Sequence, residues 1–409
     1  MLTSNSGGVP PLLAVYRRPE PRFVEGCGSW LLDESGRRYL DFTSGIAVTA
    51  LGHGSPVVRA AVERALESGI VHTSNLYRTP PGEALAQRLV ELTRMDRVFF
   101  CNSGGEGVEG ALKFARKWAR VRRGWSYGDT QDAPGFRKTG IVAFRGSFHG
   151  RLFGSVATTD KVAYRAPFEP VMPGVTFVDP TDFEAVNRAL DAETVAAVIV
   201  EPVQGEGGVR PLDAAFLKQV RQWTAEREIA LILDEVQSGV GRTGDFNAHD
   251  TSGIRPDILV LAKPLAGGLP MGAILVTDAV AGALQPGDHG TTFGGGPFVA
   301  TVALAVVEAI ADPTFLEGVR ARGERLAEGL EAMAARHPER IREVRGRGLM
   351  RGVELHGEVA QVISKAFDAG LLLVGAGPNT IRLLPPLNVE FSELDRGLEL
   401  LERLVGEDS

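Results

Sequence analysis

A chain of 409 residues, 44% hydrophobic and 23% charged, has the composition of a globular protein and the length for two domains, or one large domain with an appendage. Its net charge of -7 and pI near 5.7 exclude the basic footprint of a nucleic-acid binder. Cys27 and Cys101 are the only cysteines, too few for a disulfide scaffold or a cysteine zinc site, and no metal is expected.

The first eleven residues are polar, bear Gly and Pro, and show no charged-then-apolar signal pattern. No apolar run approaches the roughly 20 residues that span a bilayer. A soluble, cytoplasmic protein without a membrane partner is expected. Residues 29–41 (SWLLDESGRRYLD) predict a β-hairpin whose turn carries Asp and Gly, and apolar spacing predicts a helix over 57–68. Strands are then predicted at 97–101, 141–144, 195–200, 229–233, 258–262 and 273–276, separated by helical patterns. That alternation predicts an α/β fold with a mostly parallel sheet flanked by helices. Helices at 298–310 and 315–334 follow, then a helix at 359–369, a strand at 380–384 and a helix at 392–405. The partition expected is a large domain over 56–297, with 1–55 and 298–409 forming a smaller α+β domain. Residues 122–137 (RRGWSYGDTQDAPGFR) read as an inserted surface loop.

Two of the apolar runs end in chemistry. Ile229-Ala230-Leu231-Ile232-Leu233 ends in Asp234, and Ile258-Leu259-Val260-Leu261-Ala262 ends in Lys263 and a glycine-rich turn. Buried parallel strands read as such runs, and open α/β sheets bind ligands at their carboxyl ends. An acid and an amine presented together there match what pyridoxal phosphate requires: a partner for its pyridinium nitrogen and a lysine for its Schiff base. Isolated, Asp234 would read as a structural carboxylate and Lys263 as a solvated surface lysine. Pro264 biases Lys263 to extended backbone, and desolvation there lowers an amine's pKa. Asn102-Ser103-Gly104-Gly105-Glu106 opens a helix as a small-residue turn, either an anion cradle or an ordinary strand-to-helix connection. Phe148 can stack on a flat ring, and Arg151 can grip a carboxylate through two parallel hydrogen bonds. Glu201 and Glu206 share a glycine-rich strand-end loop, which points to polar site chemistry. Arg382, a charge inside an apolar strand, wants an anionic partner.

Over nearly its whole length the chain resembles the class III pyridoxal-phosphate aminotransferases of fold type I, in particular the acetylornithine and ornithine type. The matching motifs are DFTSGIAV (41–48), HTSNLY (72–77), NSGGE (102–106), FHGR (148–151), EPVQGEGG (201–208), DEVQSGVGRTG (234–244), AKPLAGG (262–268), TTFGG (291–295) and RLLPPL (382–387). The resemblance implies Lys263 as Schiff-base lysine, Asp234 as partner of the pyridine nitrogen, Gln237 near the ring hydroxyl, and the ring between Phe148 and Val236. It implies phosphate binding by Ser103, Gly104 and Gly105, joined by Thr292 and Thr291 from a second subunit of a homodimer. Arg151 would hold a substrate carboxylate, with Arg382 and Glu206 forming the switch that admits the second substrate. The reaction implied moves the terminal amino group of N-acetylornithine to 2-oxoglutarate, giving the semialdehyde and glutamate, as in arginine biosynthesis. Ornithine, 4-aminobutyrate, succinylornithine and carrier-linked lysine are the alternative donors, and a cofactor-binding regulatory subunit without turnover is the alternative of another class. Three positions depart from the family pattern: Gly296 stands in place of an asparagine, and Gly105 and Gly107 in place of alanines.

Overall fold

The computed structural model describes residues 11–16, 18–131, 133 and 135–406. The first ten residues of the polar start lie outside it.

A seven-stranded sheet forms the centre. Its order is Arg97–Cys101, Gly272–Val276, Ile258–Leu261, Ala230–Asp234, Val195–Val200, Gly140–Phe144 and Val175–Val178. Every residue of Val195–Val200, Ala230–Asp234 and Ile258–Leu261 is buried, which is why these strands read as unbroken apolar runs rather than alternating ones. Successive side chains still part to opposite faces. Leu231 and Leu233 join one core with Val198, Val200, Leu259 and Leu261. Ala230 and Ile232 join another with Ile199, Ile258 and Val260, closed by Val108, Leu112 and Ala115 of the helix Gly104–Arg122. On the first face the helix Pro297–Ala311 buries Ala300, Ala303 and Val307 and packs against the helices Pro56–Glu67 and Pro80–Thr93.

Gly272–Val276 runs antiparallel to both its neighbours. The connection over 262–271 holds only the 3-10 turn Lys263–Ala266, too little chain for the helical crossover that a parallel neighbour needs. The edge strand Val175–Val178 and the helix Pro80–Thr93 add to the elements expected from sequence. Among the described residues three smaller sheets accompany the central one, one of them only the strand pair Val203–Gln204 and Arg210–Pro211. Phe23–Cys27, Trp30–Asp33 and Arg38–Asp41 form an antiparallel meander, and the C-terminal strand Leu371–Leu372 pairs with its last strand. Ile341–Arg347, Met350–Leu355, Thr380–Leu383 and Val374–Gly375 form the third, antiparallel throughout. Among the described residues no single helix is long and apolar enough to cross a membrane.

Candidate active site

The parallel strands Ala230–Asp234 and Ile258–Leu261 set Asp234 beside Val260, so Asp234 and Lys263 emerge together at the carboxyl ends of two central strands. Both line a cavity of about 170 Å³ with Gly104, Gly105, Phe148, His149, Gly150, Glu201, Glu206, Val236 and Gln237. Lys263 opens its 3-10 turn at φ +44, not in the extended backbone expected from Pro264 but in the left-handed region that side-chain-bearing residues seldom occupy and that collects at functional sites. Burial, and then the Arg382 guanidinium, pull its amine down to about 8.

Asp234 is 5% exposed. Its Oδ1 accepts the Val236 N–H at 3.1 Å, and its Oδ2 lies 2.8 Å from His149 Nδ1. The His149 ring is buried, and among the described residues its Nε2 has no hydrogen-bond partner. Behind this pair Glu201 is also buried; its two oxygens accept the N–H groups of Phe148 at 2.9 Å and Gly205 at 3.0 Å. Burial, reinforced by the Asp234 carboxylate, pushes the Glu201 carboxyl up to about 7 against the pull of His149 and the two N–H bonds.

The turn after Arg97–Cys101 is built by small residues. Ser103 caps the helix Gly104–Arg122, its hydroxyl accepting the Glu106 N–H at 3.2 Å. A Cβ on Gly104 would stand 2.6 Å from Val236 Cγ1; only glycine lets Val236 close onto this turn. The cavity floor is thus a helix N-terminus faced by backbone, the geometry that attracts an anion.

Across the cavity, Arg382 is 1% exposed on the strand Thr380–Leu383. Its Nη2 pairs with Glu206 Oε1 at 2.6 Å and also donates to Gly375 O at 3.3 Å, and its Nη1 donates to Gln237 Oε1 at 3.0 Å. Since an arginine only donates, the Gln237 carbonyl must face it, which leaves the amide N–H groups for other partners.

Of the residues singled out from sequence, Lys263, Asp234, Gly104, Gly105, Phe148, Val236, Gln237 and Glu206 line one cavity, and Arg382 is bonded to two of them. Ser103 caps the helix at its rim. Arg151 is exposed outside the lining, its guanidinium carbon 3.3 Å from the Tyr164 ring centroid. Thr292 is exposed and Thr291 is bonded within its own chain, its hydroxyl accepting from Asn102 Nδ2 at 3.1 Å and its carbonyl from Asn75 Nδ2 at 2.8 Å; neither lines the cavity. His149 carried no assignment from sequence, because nothing in the local pattern announces a contact with Asp234 from a distant strand. The loop expected at 122–137, of which residues 132 and 134 lie outside the described residues, follows the far end of the helix Gly104–Arg122, where Arg123 pairs with Glu193 at 2.9 Å.

The pattern of the family described as "Aminotransferase class-III" matches residues 16–405. The chain belongs to the class III aminotransferases. The acetylornithine aminotransferase of Gloeobacter violaceus is 43% identical to this aminotransferase over 392 residues, covering 96% of this chain and 94% of that one. The mitochondrial acetylornithine aminotransferase of Alnus glutinosa is 45% identical, covering 95% and 84%. Among solved structures, the ornithine aminotransferase of Toxoplasma gondii superposes with a TM-score of 0.89 at 29% identity, over 97% of this chain and 92% of that one. The N-acetylornithine aminotransferase of Stenotrophomonas maltophilia does so with a TM-score of 0.79 at 34% identity, over 95% and 96%. The fold is the fold type I α/β architecture. This aminotransferase is a pyridoxal-phosphate enzyme, and the cavity suits that cofactor. It offers a half-buried lysine whose amine is lowered toward neutrality, a buried carboxylate already oriented by His149, and a helix N-terminus where Gly104 leaves no side chain in the way.

Proposed function

We propose that this aminotransferase transfers the terminal amino group of N-acetylornithine, or of a closely related ω-amino acid, to 2-oxoglutarate, yielding the semialdehyde and glutamate. The observation that carries the reading is the meeting of Lys263 and Asp234 with the Gly104-Gly105 turn in one cavity. Relatives named acetylornithine aminotransferase at 43% and 45% identity support the donor. The reading includes a cytoplasmic homodimer acting in arginine biosynthesis.

Pyridoxal phosphate, when bound, supplies an electron sink and stores the amino group between two half-reactions. Lys263 would hold it covalently, and the Lys263 amine then carries the proton at the donor's amine-bearing carbon, as base and afterwards as acid. Asp234 would keep a proton on the ring nitrogen, with His149 fixing the carboxylate's orientation. Ser103, Gly104 and Gly105 would bind the phosphate, joined by Thr292 and Thr291 of a second subunit. Phe148 and Val236 would enclose the ring, and the free Gln237 amide would meet its hydroxyl. Arg151 would take the carboxylate common to both substrates. Arg382 would take the second carboxylate of glutamate, with Glu206 neutralising it whenever the donor is bound.

A panel of ω-amino donors assayed against 2-oxoglutarate tests the substrate. N-acetylornithine should give the highest kcat/KM; a higher value for ornithine, 4-aminobutyrate, succinylornithine or carrier-linked lysine reassigns the donor.

A further inference from the structure

We propose that Tyr164 is a positioning residue for substrate recognition, holding the Arg151 guanidinium in the orientation in which it receives a substrate carboxylate. The inference rests on the reading of Arg151 as the carboxylate receptor.

Arg151 differs from the other arginines around the site. Arg382 and Arg345 spend N–H groups on carboxylates, and Arg242 donates to the carbonyls of Leu349 and Pro385. Arg151 makes no hydrogen bond or ion pair among the described residues; its only partners are ring faces. Its guanidinium carbon lies 3.3 Å from the Tyr164 centroid and 5.8 Å from that of Phe148. A guanidinium uses its face to stack and its edge to donate. Stacking on Tyr164 therefore fixes the plane while every N–H stays available, which is what bidentate binding of a carboxylate needs. An exposed arginine held by nothing would have to find that plane in each encounter.

Tyr164 is itself held on two sides. Its ring meets Phe148 edge-on with centroids 6.2 Å apart. Its hydroxyl accepts from Lys161 Nζ at 3.2 Å, and that ammonium also lies 4.6 Å from the ring centroid. Tyr164, Lys161, Phe148 and Glu206 line a second cavity of about 230 Å³. Phe148 and Glu206 line the Lys263 cavity as well. A substrate with its amine at Lys263 has this vestibule open for its distal end; Arg151 lies outside both linings, stacked on the Tyr164 ring that borders the vestibule and that Lys161 also approaches.

The test uses holoenzyme and four variants, Tyr164→Ala, Tyr164→Leu, Tyr164→Phe and Arg151→Ala. Tyr164→Ala and Tyr164→Leu should raise KM for donor and for 2-oxoglutarate by roughly 2- to 30-fold, the span of a cation–π contact, with kcat and the cofactor absorbance unchanged. Tyr164→Phe, which keeps the ring, should stay near wild type. Calorimetric titration with glutarate, a dicarboxylate that cannot react, should weaken in the same order. If Arg151→Ala raises both KM values while Tyr164→Ala and Tyr164→Leu leave them alone, Tyr164 is passive and this inference fails by itself. If Arg151→Ala leaves KM unchanged, the carboxylate-receptor reading fails and takes the inference with it.

Discussion

Glu206 is the only carboxylate on the buried Arg382 guanidinium among the described residues, and it holds it at 2.6 Å from a loop where its own side chain is 30% exposed. Arg382 is fixed on a sheet strand, whereas Glu206 stands between Gly205 and Gly207-Gly208 and has solvent to move into. Breaking a buried pair from one side typically costs about 3–5 kcal/mol; the exposure of Glu206 places this pair at or below the lower end. Glu206→Ala should leave Arg382 seeking an anion in both half-reactions. Single-turnover measurements should show the glutamate half-reaction favoured relative to the donor half-reaction, with cofactor binding intact. An equal fall in both would make Glu206 structural rather than a gate.

Glu201 predicts an unusual pH dependence of stability. Its carboxyl rises to about 7 in the folded chain, against roughly 4.3 when exposed. The folded state therefore binds the proton more tightly than the unfolded one. This contribution is fully present below the unfolded value and is lost as pH rises from about 4.5 through 7. Glu201→Gln abolishes the titration while forfeiting one of two accepted N–H bonds. Urea unfolding of the variant should compare badly with wild type at pH 5 and better at pH 8; a gap that does not change with pH refutes the assignment.

Lys263 should leave its mark on cofactor loading. With its amine lowered to about 8, the neutral, nucleophilic form grows through neutrality and dominates above that value. Covalent capture of pyridoxal phosphate by apoenzyme, followed by absorbance, should accelerate up to about pH 8 and then level. Lys263→Ala should bind the cofactor without covalent capture and lose turnover. Wild-type turnover in that variant ends the catalytic assignment.

The residues that could be read in advance are those whose setting is local. Asp234 and Lys263 end fully buried strands, and Gly104 and Gly105 follow a strand into a helix, so the chain itself displays their position. The contacts that complete the site are not local: His149 reaches Asp234, and Glu201 reaches Phe148, only once separate strands lie side by side. Tyr164 sits in an exposed segment with no pattern to mark it. The same holds for the fold. Val175–Val178 is a four-residue edge strand, and the helix Pro80–Thr93 buries only the narrow stripe Leu85, Leu89 and Thr93. The reversal of Gly272–Val276 follows from connection length rather than from the composition of the strand.

The two glycines that stand where the family pattern has alanines should respond oppositely to alanine. A Cβ on Gly105 meets Leu152 at 3.6 Å, ordinary contact, whereas one on Gly107 stands 2.6 Å from Val260 Cγ1 on the strand beneath the helix. Gly105→Ala should stabilise by up to about 0.5–1 kcal/mol through backbone entropy. Gly107→Ala should destabilise by about 1–3 kcal/mol through overpacking. Chemical denaturation separates the two; a gain from both would show that the helix can lift off the sheet.

Thr292 carries the claim that the site is shared between subunits. Thr291 has its hydroxyl engaged by Asn102 in its own chain, while Thr292 is exposed. Phe293, Leu76 and Tyr77, on the same turn and on the segment tied to it by Asn75, are 66%, 87% and 70% exposed. Large apolar side chains gathered on one surface are typical of an interaction face, and the second copy of this chain proposed above would carry Thr292 with it. On the proposed role, Thr292→Val would remove one hydrogen bond to a charged phosphate, typically worth about 1.5–3 kcal/mol. Cofactor retention in dialysis should weaken roughly 10- to 150-fold, the same energy expressed as a ratio, and Phe293→Asp should release monomers in sedimentation with loss of activity. Fully active monomers would place Thr292 outside the neighbour's chemistry.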